Sequence, residues 1–377
     1  MTTVPESEPA SSGDGVETAE ALADDILSDV ASIVDDAAER DLEPQDVDAM
    51  EALDSPRRLL LVHAHPDDES IGNGATIARY AAAGAHVTLV TCTRGERGEV
   101  VAPDLAPLEG DGPALAAHRT LELATAMEAL GVSDHRFLDD APLEGEDAAA
   151  TAAVRYEDSG MAWGPGRVAV PAPDTPPTAF ARADLEEAAA RLAGVLRAVR
   201  PQVVVTYEPG GGYGHPDHVQ AHRVAVRAVE LAADAGAPAV AGSEPWDVAK
   251  VYEGVVPRSL AGELFGDELL ETAAPGGGGE QVLPSMVVED AELTAVVEAP
   301  EQLEAKVAAL RAHRSQVRLR GAEMMVSHDA WMPVWTTEHY RLRTGTPAPA
   351  ADRADGLESD LFAGVAPGSG TGAAPTA

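Results

Sequence analysis

Two short clusters of histidine and acidic residues hold the densest reactive chemistry in this chain. The first cluster, residues 63–69, reads HAHPDDE, and the second, residues 213–218, reads YGHPDH. Both contain His-Pro-Asp although they lie far apart in sequence, so local patterning alone does not explain them. If the fold brings them together, they form the two halves of one site.

The residue types in these clusters predict a metal site. Two imidazoles and one carboxylate, with open positions, are the ligands of catalytic zinc and of mononuclear ferrous iron. Such a metal polarises a carbonyl and lowers the pKa of bound water to roughly 7. A further carboxylate can act as base on that water, and a further histidine or tyrosine can stabilise an oxyanion. The two clusters contain a residue for each role.

Three other interpretations compete with a catalytic metal site. The acids of residues 67–69 could cap the next helix and favour its dipole, but capping leaves the second His-Pro-Asp unexplained. A magnesium-binding phospho-acceptor domain also places an acid pair after its first strand, yet it would leave His65, His215 and His218 unused. A sugar-binding module with a degenerate site is the third, although every candidate catalytic residue is present.

The elements around the first cluster predict a βαβ unit. Leu59–Val62 is a continuous apolar run, which is typical of a strand buried on both faces of a sheet. Residues 75–83 have helical character and end at Gly84, and residues 86–92 are rich in β-formers. The order strand, site loop, helix and strand predicts a right-handed crossover.

The second cluster follows a predicted strand in the same way. Val203–Tyr207 is apolar and β-rich, and the glycine loop Gly210–Gly212 connects it to the cluster. In open α/β sheets, ligands bind at the carboxyl ends of the strands, so we expect the clusters to meet there if the two strands are neighbours.

The remaining pattern extends this alternation of strands and helices. We predict helices over residues 113–130, 184–199, 218–233 and 300–319, and strands over residues 135–138, 248–256 and 339–342. The alternation indicates an α/β fold, Rossmann-like and doubly wound, with a mostly parallel sheet, helices on both faces and a smaller C-terminal region.

Composition sets the expected environment and partners. The formal net charge is −38, so a broad surface of this chain repels phosphate backbones, and we expect no nucleic-acid partner. One cysteine, Cys92, excludes a disulfide framework and a cysteine-based zinc site. No signal peptide or membrane-spanning run is evident, so we expect a cytoplasmic protein without a membrane partner.

The chain divides into three parts by composition. Residues 1–56 are predicted to be an acidic, largely disordered extension, in which residues 22–37 have the apolar spacing of one amphipathic helix. Residues 57–345 form the folded domain, with a flexible connection predicted over residues 270–282. Residues 346–377 are rich in Ala, Pro, Gly and Thr and are predicted to be a disordered tail.

The motifs resemble a known family. Residues 65–69 (HPDDE), 91–99 (TCTRGERGE) and 215–218 (HPDH) are similar to the LmbE-like (PIG-L) metal-dependent N-deacetylases, and the similarity extends over about residues 57–342. Further stretches, at residues 73–78 and 211–214, resemble its members in the mycothiol pathway. The resemblance implies removal of acetate from N-acetyl-glucosaminyl-inositol. Hydrolysis of mycothiol S-conjugates by a sister amidase is the alternative.

The resemblance also implies the metal ligands and the base. His65, Asp68 and His218 would bind Zn2+, with Fe2+ as the alternative, at one ion per subunit. Asp67 would be the general base that activates water.

The resemblance implies further roles around this centre. His215 would stabilise the oxyanion and act as general acid, and Tyr213 would help to polarise the acetyl carbonyl. Asp217 would orient His215. Arg119 and Asp158 would hold hydroxyl groups of an amino-sugar-inositol substrate.

Overall fold

The computed structural model describes residues 57–164, 169–237, 240–242, 244–262, 283–326 and 331–366. The predictions for residues 1–56 and 270–282, and for the end of the tail, lie outside these ranges.

The strands of the described residues form one large sheet and two small ones. In chain order they are β1 (Arg58–His63), β2 (His86–Thr91), β3 (Asp134–Phe137), β4 (Met161–Trp163), β5 (Ala169–Pro171), β6 (Val203–Tyr207), β7 (Lys250–Pro257), β8 (Val287–Val288), β9 (Ala295–Glu298), β10 (Arg318–Arg320), β11 (Glu323–Met325), β12 (Trp331–Pro333) and β13 (Thr337–Thr344).

The large sheet has the topology predicted for a doubly wound fold. Its order is β3-β2-β1-β6-β7-β13-β9, with β8 pairing to β7. Strands β3, β2, β1, β6 and β7 are parallel, and β13 runs antiparallel to both of its neighbours. The strand order reverses between β1 and β6, which opens a crevice at their carboxyl ends. The two reactive clusters follow these two strands.

Helices cover both faces of this sheet, as predicted. They are α1 (Asp68–Ala82), α2 (Gly112–Ala129), α3 (Ala148–Ala153), α4 (Leu185–Val199), α5 (Pro216–Ala233) and α6 (Leu303–Ala312). Helices α4 and α5 pack together on one face, while α1, α2 and α6 pack on the other. None of the helices within the described ranges has the length and apolar character that a membrane span requires.

The central strand β1 explains why the sheet needs both helical layers. Leu60 and Val62 point into the core beneath α4 and α5, whereas Leu59 and Leu61 point into the core beneath α1 and α2. All four side chains are fully buried, and each contributes roughly 1.5–3 kcal/mol relative to exposure. The continuous apolar run therefore anchors the site loop that follows it.

Two helix boundaries differ by seven residues from the sequence prediction. Helix α1 begins at Asp68, seven residues before the predicted start, because Asp68 and Glu69 are favourable in a first turn near the positive end of the dipole. Helix α6 ends at Ala312 instead of residue 319. The N–H groups of Gln316 and Val317 both bond to the carbonyl of His313, so the chain turns there.

The predicted disordered tail is wrong for residues 346–366. Leu361 and Phe362 are buried in the core beneath α1, and Glu358 accepts a hydrogen bond from Lys250 at 2.7 Å. These contacts overcome a composition that favours disorder, because they bury apolar surface and pair two charges. The folded domain therefore extends past residue 345.

The smaller C-terminal region is also present. Strands β10, β11 and β12 form an antiparallel sheet. Leu303, Leu310 and Met324 belong to a separate small core between this sheet and α6. Residues 139–177 contain α3 and the antiparallel pair of β4 and β5.

Candidate metal centre

The reversal of strand order brings the two clusters into contact. Nδ1 of His65 lies 3.2 Å from Oδ2 of Asp68 and 3.3 Å from Nε2 of His218. The same Asp68 oxygen lies 3.4 Å from Nε2 of His218. These three atoms form a nearly equilateral triangle, which we call the ligand triangle.

The ligand triangle fits a divalent cation. Bonds of about 2.0–2.1 Å in tetrahedral geometry place ligand atoms about 3.3–3.4 Å apart, which matches its three edges. Ring nitrogens of His65, His215 and His218 also lie within 4.8 Å of one another. The set with Asp68 has shorter edges, and two imidazoles with one carboxylate are a usual ligand set for Zn2+ and Fe2+.

The charges around the ligand triangle favour a cation at this place. Burial alone would lower the pKa of His65, but the carboxylates of Asp158, Asp217 and Asp68 raise it well above its usual value. Burial would raise the pKa of Asp68, yet His218 and His65 hold it well below its usual range. Asp68 is therefore ionised, and a metal ion would supply the positive charge that these carboxylates attract.

Tyr207 supports the ligand triangle and was missed by sequence reasoning. Its hydroxyl donates to Oδ2 of Asp68 at 2.7 Å and accepts from the N–H of Ala64 at 2.9 Å. Its ring stacks on His218, with centroids 4.3 Å apart. The sequence contained a signal for this contact, because β1 ends in His63 and β6 ends in Tyr207. Since the two strands are neighbours, these residues lie at the same edge of the sheet.

Replacing Tyr207 with phenylalanine is expected to weaken metal binding about 10- to 100-fold, the usual cost of losing an outer-shell partner. The ring would still stack on His218, whereas Asp68 would lose a donor. Competition with a metal chelator measures the change. An unchanged metal affinity would show that the hydroxyl does not hold Asp68 in place.

Asp67 occupies an unusual backbone conformation beside the ligand triangle. Its φ is 120° and its ψ is −33°, and its side chain is buried. Burial raises the pKa of Asp67 to about 6, although the Arg119 guanidinium opposes that rise. A carboxyl group with this pKa can both accept and return a proton near neutral pH.

Arg119 is buried beside the site loop, and its predicted contact with substrate hydroxyls stays a prediction. The side chain is 2% exposed, and it donates to the carbonyls of Gly95 at 2.9 Å and Pro66 at 2.5 Å and to Oδ1 of Asp67 at 3.1 Å. A Cβ atom at Gly95 or Gly98 would clash with the guanidinium, so these glycines make room for it. Arg119 therefore holds Asp67, because its helix α2 faces the site loop.

Asp217 contacts two histidines of the site, His65 with its carboxylate and His215 with its backbone N–H. Its carboxylate lies 3.2 Å from Nε2 of His65 and accepts hydrogen bonds from the N–H and hydroxyl of Ser159. Only its backbone N–H reaches His215, because His215 caps helix α5. The carboxylate thus orients His65, the arrangement common for histidines that bind metals.

His215 and Tyr213 present two neutral donors next to the ligand triangle. Nδ1 of His215 accepts the N–H of Asp217 at 3.2 Å, so a neutral ring carries its proton on Nε2. Burial, followed by His65 and His218, lowers the pKa of His215 well below its usual value. Burial and nearby carboxylates raise the pKa of Tyr213 well above its usual value, so its hydroxyl stays protonated.

The loop that carries Tyr213 is held by a buried carboxylate that sequence reasoning missed. Glu208 accepts the N–H groups of Gly210 and Gly212, each at 2.6 Å, and the hydroxyl of Ser285 at 2.7 Å. Gly212 has φ of 76°, which favours glycine. The glycine run is therefore an ordered turn shaped around Glu208.

Asp158 lies where a cleft reaches the centre. Its Oδ1 is 3.7 Å from Nε2 of His65 and accepts the N–H of Gly160 at 2.8 Å. Its Oδ2 accepts the N–H of Arg97 at 3.2 Å. The cleft has a volume of about 1170 Å³, and Arg97, Asp158 and Gly160 are part of its lining. Asp158 is thus the one predicted substrate contact that lines this cleft.

The fold and the site define an α/β protein with a buried histidine and carboxylate centre at the topological switch point. The chain belongs to the PIG-L family, whose model, described as "PIG-L: GlcNAc-PI de-N-acetylase", matches residues 60–229. The family predicted from the motifs is therefore confirmed.

Relatives match nearly the whole chain. A Kineococcus radiotolerans protein named 1D-myo-inositol 2-acetamido-2-deoxy-alpha-D-glucopyranoside deacetylase is 53% identical over 98% of this chain and 100% of its own length. A protein of the same name from Streptomyces griseus is 52% identical over 84% of this chain and 92% of its own. N,N'-diacetylchitobiose deacetylase from Pyrococcus horikoshii is a more distant solved structure with 20% identity. The match covers 80% of this chain and 81% of that chain, with a TM-score of 0.40.

Proposed function

We propose that this chain is a metal-dependent N-deacetylase that removes the acetyl group from N-acetyl-glucosaminyl-inositol in mycothiol biosynthesis. The observation that carries the chemistry is the ligand triangle of His65, Asp68 and His218 next to Asp67. The substrate is supported by the full-length relatives that bear the name of this deacetylase. Zn2+, with Fe2+ as the alternative, is the proposed metal at one ion per subunit.

The proposed mechanism assigns a separate task to each neighbour of the ligand triangle. The cation, when bound, polarises the amide carbonyl and lowers the pKa of a water molecule. Asp67 accepts the proton of the attacking water, and Arg119 keeps its carboxylate in place. The Nε2–H of His215 and the hydroxyl of Tyr213 donate to the oxygen on which negative charge develops.

The proton for the leaving amine comes from one of two groups. His215 was expected to act as general acid, but its low pKa favours a neutral ring that donates a hydrogen bond. Asp67, once protonated, has a pKa of about 6 and is the better source. We therefore propose that Asp67 returns the proton it took, and that His215 acts chiefly on the oxyanion.

Substrate recognition would use the cleft at Asp158. A neutral glycoside requires hydrogen-bonding groups more than a strongly charged pocket. Asp158 is buried and accepts two backbone N–H groups, which leaves further oxygen lone pairs for sugar or inositol hydroxyls. Arg119 is assigned to Asp67 instead. The net charge of −38 argues against nucleic-acid partners.

One observation favours a second candidate activity. The cleft of about 1170 Å³ exceeds the usual range for small-molecule pockets, roughly 300–1000 Å³. A larger amide, such as a mycothiol S-conjugate, would use that space beside Asp158, which lies 3.7 Å from Nε2 of His65. The magnesium-binding phospho-acceptor alternative has no comparable support, because His65 and His218 complete the site around Asp68.

An amine-release assay on both substrates tests this proposal. We expect N-acetyl-glucosaminyl-inositol to be hydrolysed with the higher kcat/KM, the activity to disappear with chelator, and Zn2+ or Fe2+ to restore it. Faster hydrolysis of the S-conjugate would make the amidase the main function. Turnover that survives complete removal of metal would contradict the proposed chemistry.

A further inference from the structure

A fully buried ion pair connects the site loop to the end of helix α6. Nε2 of His313 lies 2.7 Å from Oε1 of Glu69, and both side chains are 0% exposed. The other oxygen of Glu69 accepts the backbone N–H of Asp67 at 2.9 Å. The hydroxyl of Ser70 also donates to Oε1, at 2.6 Å. Glu69 thus joins His313 to the peptide of the residue proposed as general base.

The backbone of Asp67 needs such a restraint. Three non-glycine residues in the described ranges have positive φ, and Asp67, at 120°, departs furthest from the left-handed helical region near 57°. Conformations of this kind are sparsely populated and persist only when surrounding contacts fix them. Glu69 holds the N–H side of Asp67, while Arg119 binds its carboxylate and the preceding carbonyl of Pro66.

The turn that carries His313 is held by several hydrogen bonds. His313 follows the last residue of α6, and its carbonyl accepts the N–H groups of Gln316 and Val317. Ser315 is tied to the buried carboxylate of Glu122 by its N–H at 2.8 Å and its hydroxyl at 2.6 Å. The turn that ends the helix early therefore delivers an imidazole to Glu69 from a position fixed on both sides.

Stability alone gives little reason for this pair. Desolvation of two charges offsets most of their attraction, and apolar replacements of buried ion pairs are often neutral or stabilising. Nδ1 of His313 moreover has no hydrogen-bond partner among the residues that the structure describes. Because the pair contributes little to stability, its fixed geometry favours a role in the reaction.

We propose that Glu69 and His313 are positioning residues for catalysis. His313 fixes Glu69, and Glu69 holds the peptide N–H of Asp67, so that the carboxylate keeps its direction beside the ligand triangle. This role rests on the proposed function of Asp67 as general base. Neither side chain touches the ligand triangle or lines the cleft, and the pair acts through the backbone of Asp67.

Three substitutions at His313 separate positioning from packing. The variant His313→Ala removes the donor, and His313→Asn keeps an amide that is too short to reach Glu69. The variant His313→Gln can place an amide N–H where Nε2 stands. We expect kcat per bound metal to fall about 100-fold in the first two variants, as for misplaced catalytic groups, with KM within about threefold. The kcat of the glutamine variant should be at least about tenfold higher than that of the alanine variant.

A second readout needs no substrate. Hydrogen exchange of the Asp67 amide should rise at least about tenfold in His313→Ala and His313→Asn, because opening of the site loop becomes easier. Metal content should stay at one ion per chain. His86→Ala is the matched control, since His86 forms a 3.1 Å pair with Asp134 at the opposite edge of the sheet. It should leave both the exchange rate and kcat unchanged.

Each outcome decides the proposal. The proposal would be overturned if, in the alanine and asparagine variants, the Asp67 amide exchanged as slowly as in the wild type. It would also be overturned if kcat per bound metal stayed at the wild-type value. Loss of metal along with activity would also overturn it, because the pair would then support the ligand triangle instead. If the wild type fails to release amine from any acetylated substrate, the proposed function fails. A faster Asp67 exchange in the variants would then still confirm the backbone restraint.

Discussion

Replacing Asp67 with asparagine is expected to lower kcat by about 10³-fold, within the range for loss of a general base. Asparagine keeps the shape of the side chain, and its carbonyl oxygen can still accept the hydrogen bond from Arg119. It has no carboxylate to take a proton from the attacking water. Because Asp67 is not part of the ligand triangle, the variant should still bind one metal ion per chain.

Steady-state kinetics together with metal analysis checks this result. Asp104→Asn is the control for removal of one negative charge, because Asp104 is exposed and pairs with Arg314 away from the centre. It should retain wild-type kcat. A metal-loaded Asp67→Asn variant with kcat near that of the wild type would rule out Asp67 as the base.

Replacing His218 with alanine should have the second large effect, the loss of metal and activity together. The change removes one corner of the ligand triangle and leaves a two-ligand site. We expect metal affinity to fall by more than the roughly 10- to 100-fold that loss of an outer-shell partner produces. Equilibrium dialysis against zinc measures this affinity directly.

A histidine on the same helix provides the control for this substitution. His222 is buried one turn further along α5, where its Nδ1 lies 2.7 Å from the carbonyl of Tyr207. His222→Ala should keep metal at one ion per chain, because His222 is outside the ligand triangle. Equal zinc affinity in His218→Ala and the wild type would exclude His218 as a ligand.

The sequence predicted that the two clusters meet because each comes after a buried strand, and the family resemblance implied which of their members bind the metal. Once β1 and β6 are neighbours, the residues just beyond them must share one edge of the sheet. His65 and Asp68 reach the site because they come just after β1. His218 reaches it because the glycine loop after β6 turns the chain back. The fold class followed from the same alternation of strands and helices.

The contacts that Arg119 and Asp217 make were not predicted, because they depend on the direction in which each side chain points. Motif position places Arg119 on a helix near the site, but only the packed structure shows that Gly95 and Gly98 leave room for its guanidinium to reach Asp67. Asp217 turns to His65 because Ser159, from a distant loop, holds its carboxylate there. Pattern and spacing contain no information on such contacts.

The residues that hold the site residues in place were not predicted from the sequence, for a related reason. Tyr207 and Glu208 look like the end of a strand, and His313 looks like the interior of a long helix. Their importance comes from single hydrogen bonds to residues far away in sequence. Tertiary contacts also override local propensity where α6 ends.

Locating the metal by anomalous diffraction at its absorption edge tests the central claim most directly. The crystals would be of wild-type protein loaded with zinc. We predict a single peak about 2.0–2.3 Å from Nδ1 of His65, Nε2 of His218 and a carboxylate oxygen of Asp68, with at least one position open. A peak bonded to His215 or Asp158, or no peak within the ligand triangle, would contradict the proposed metal site.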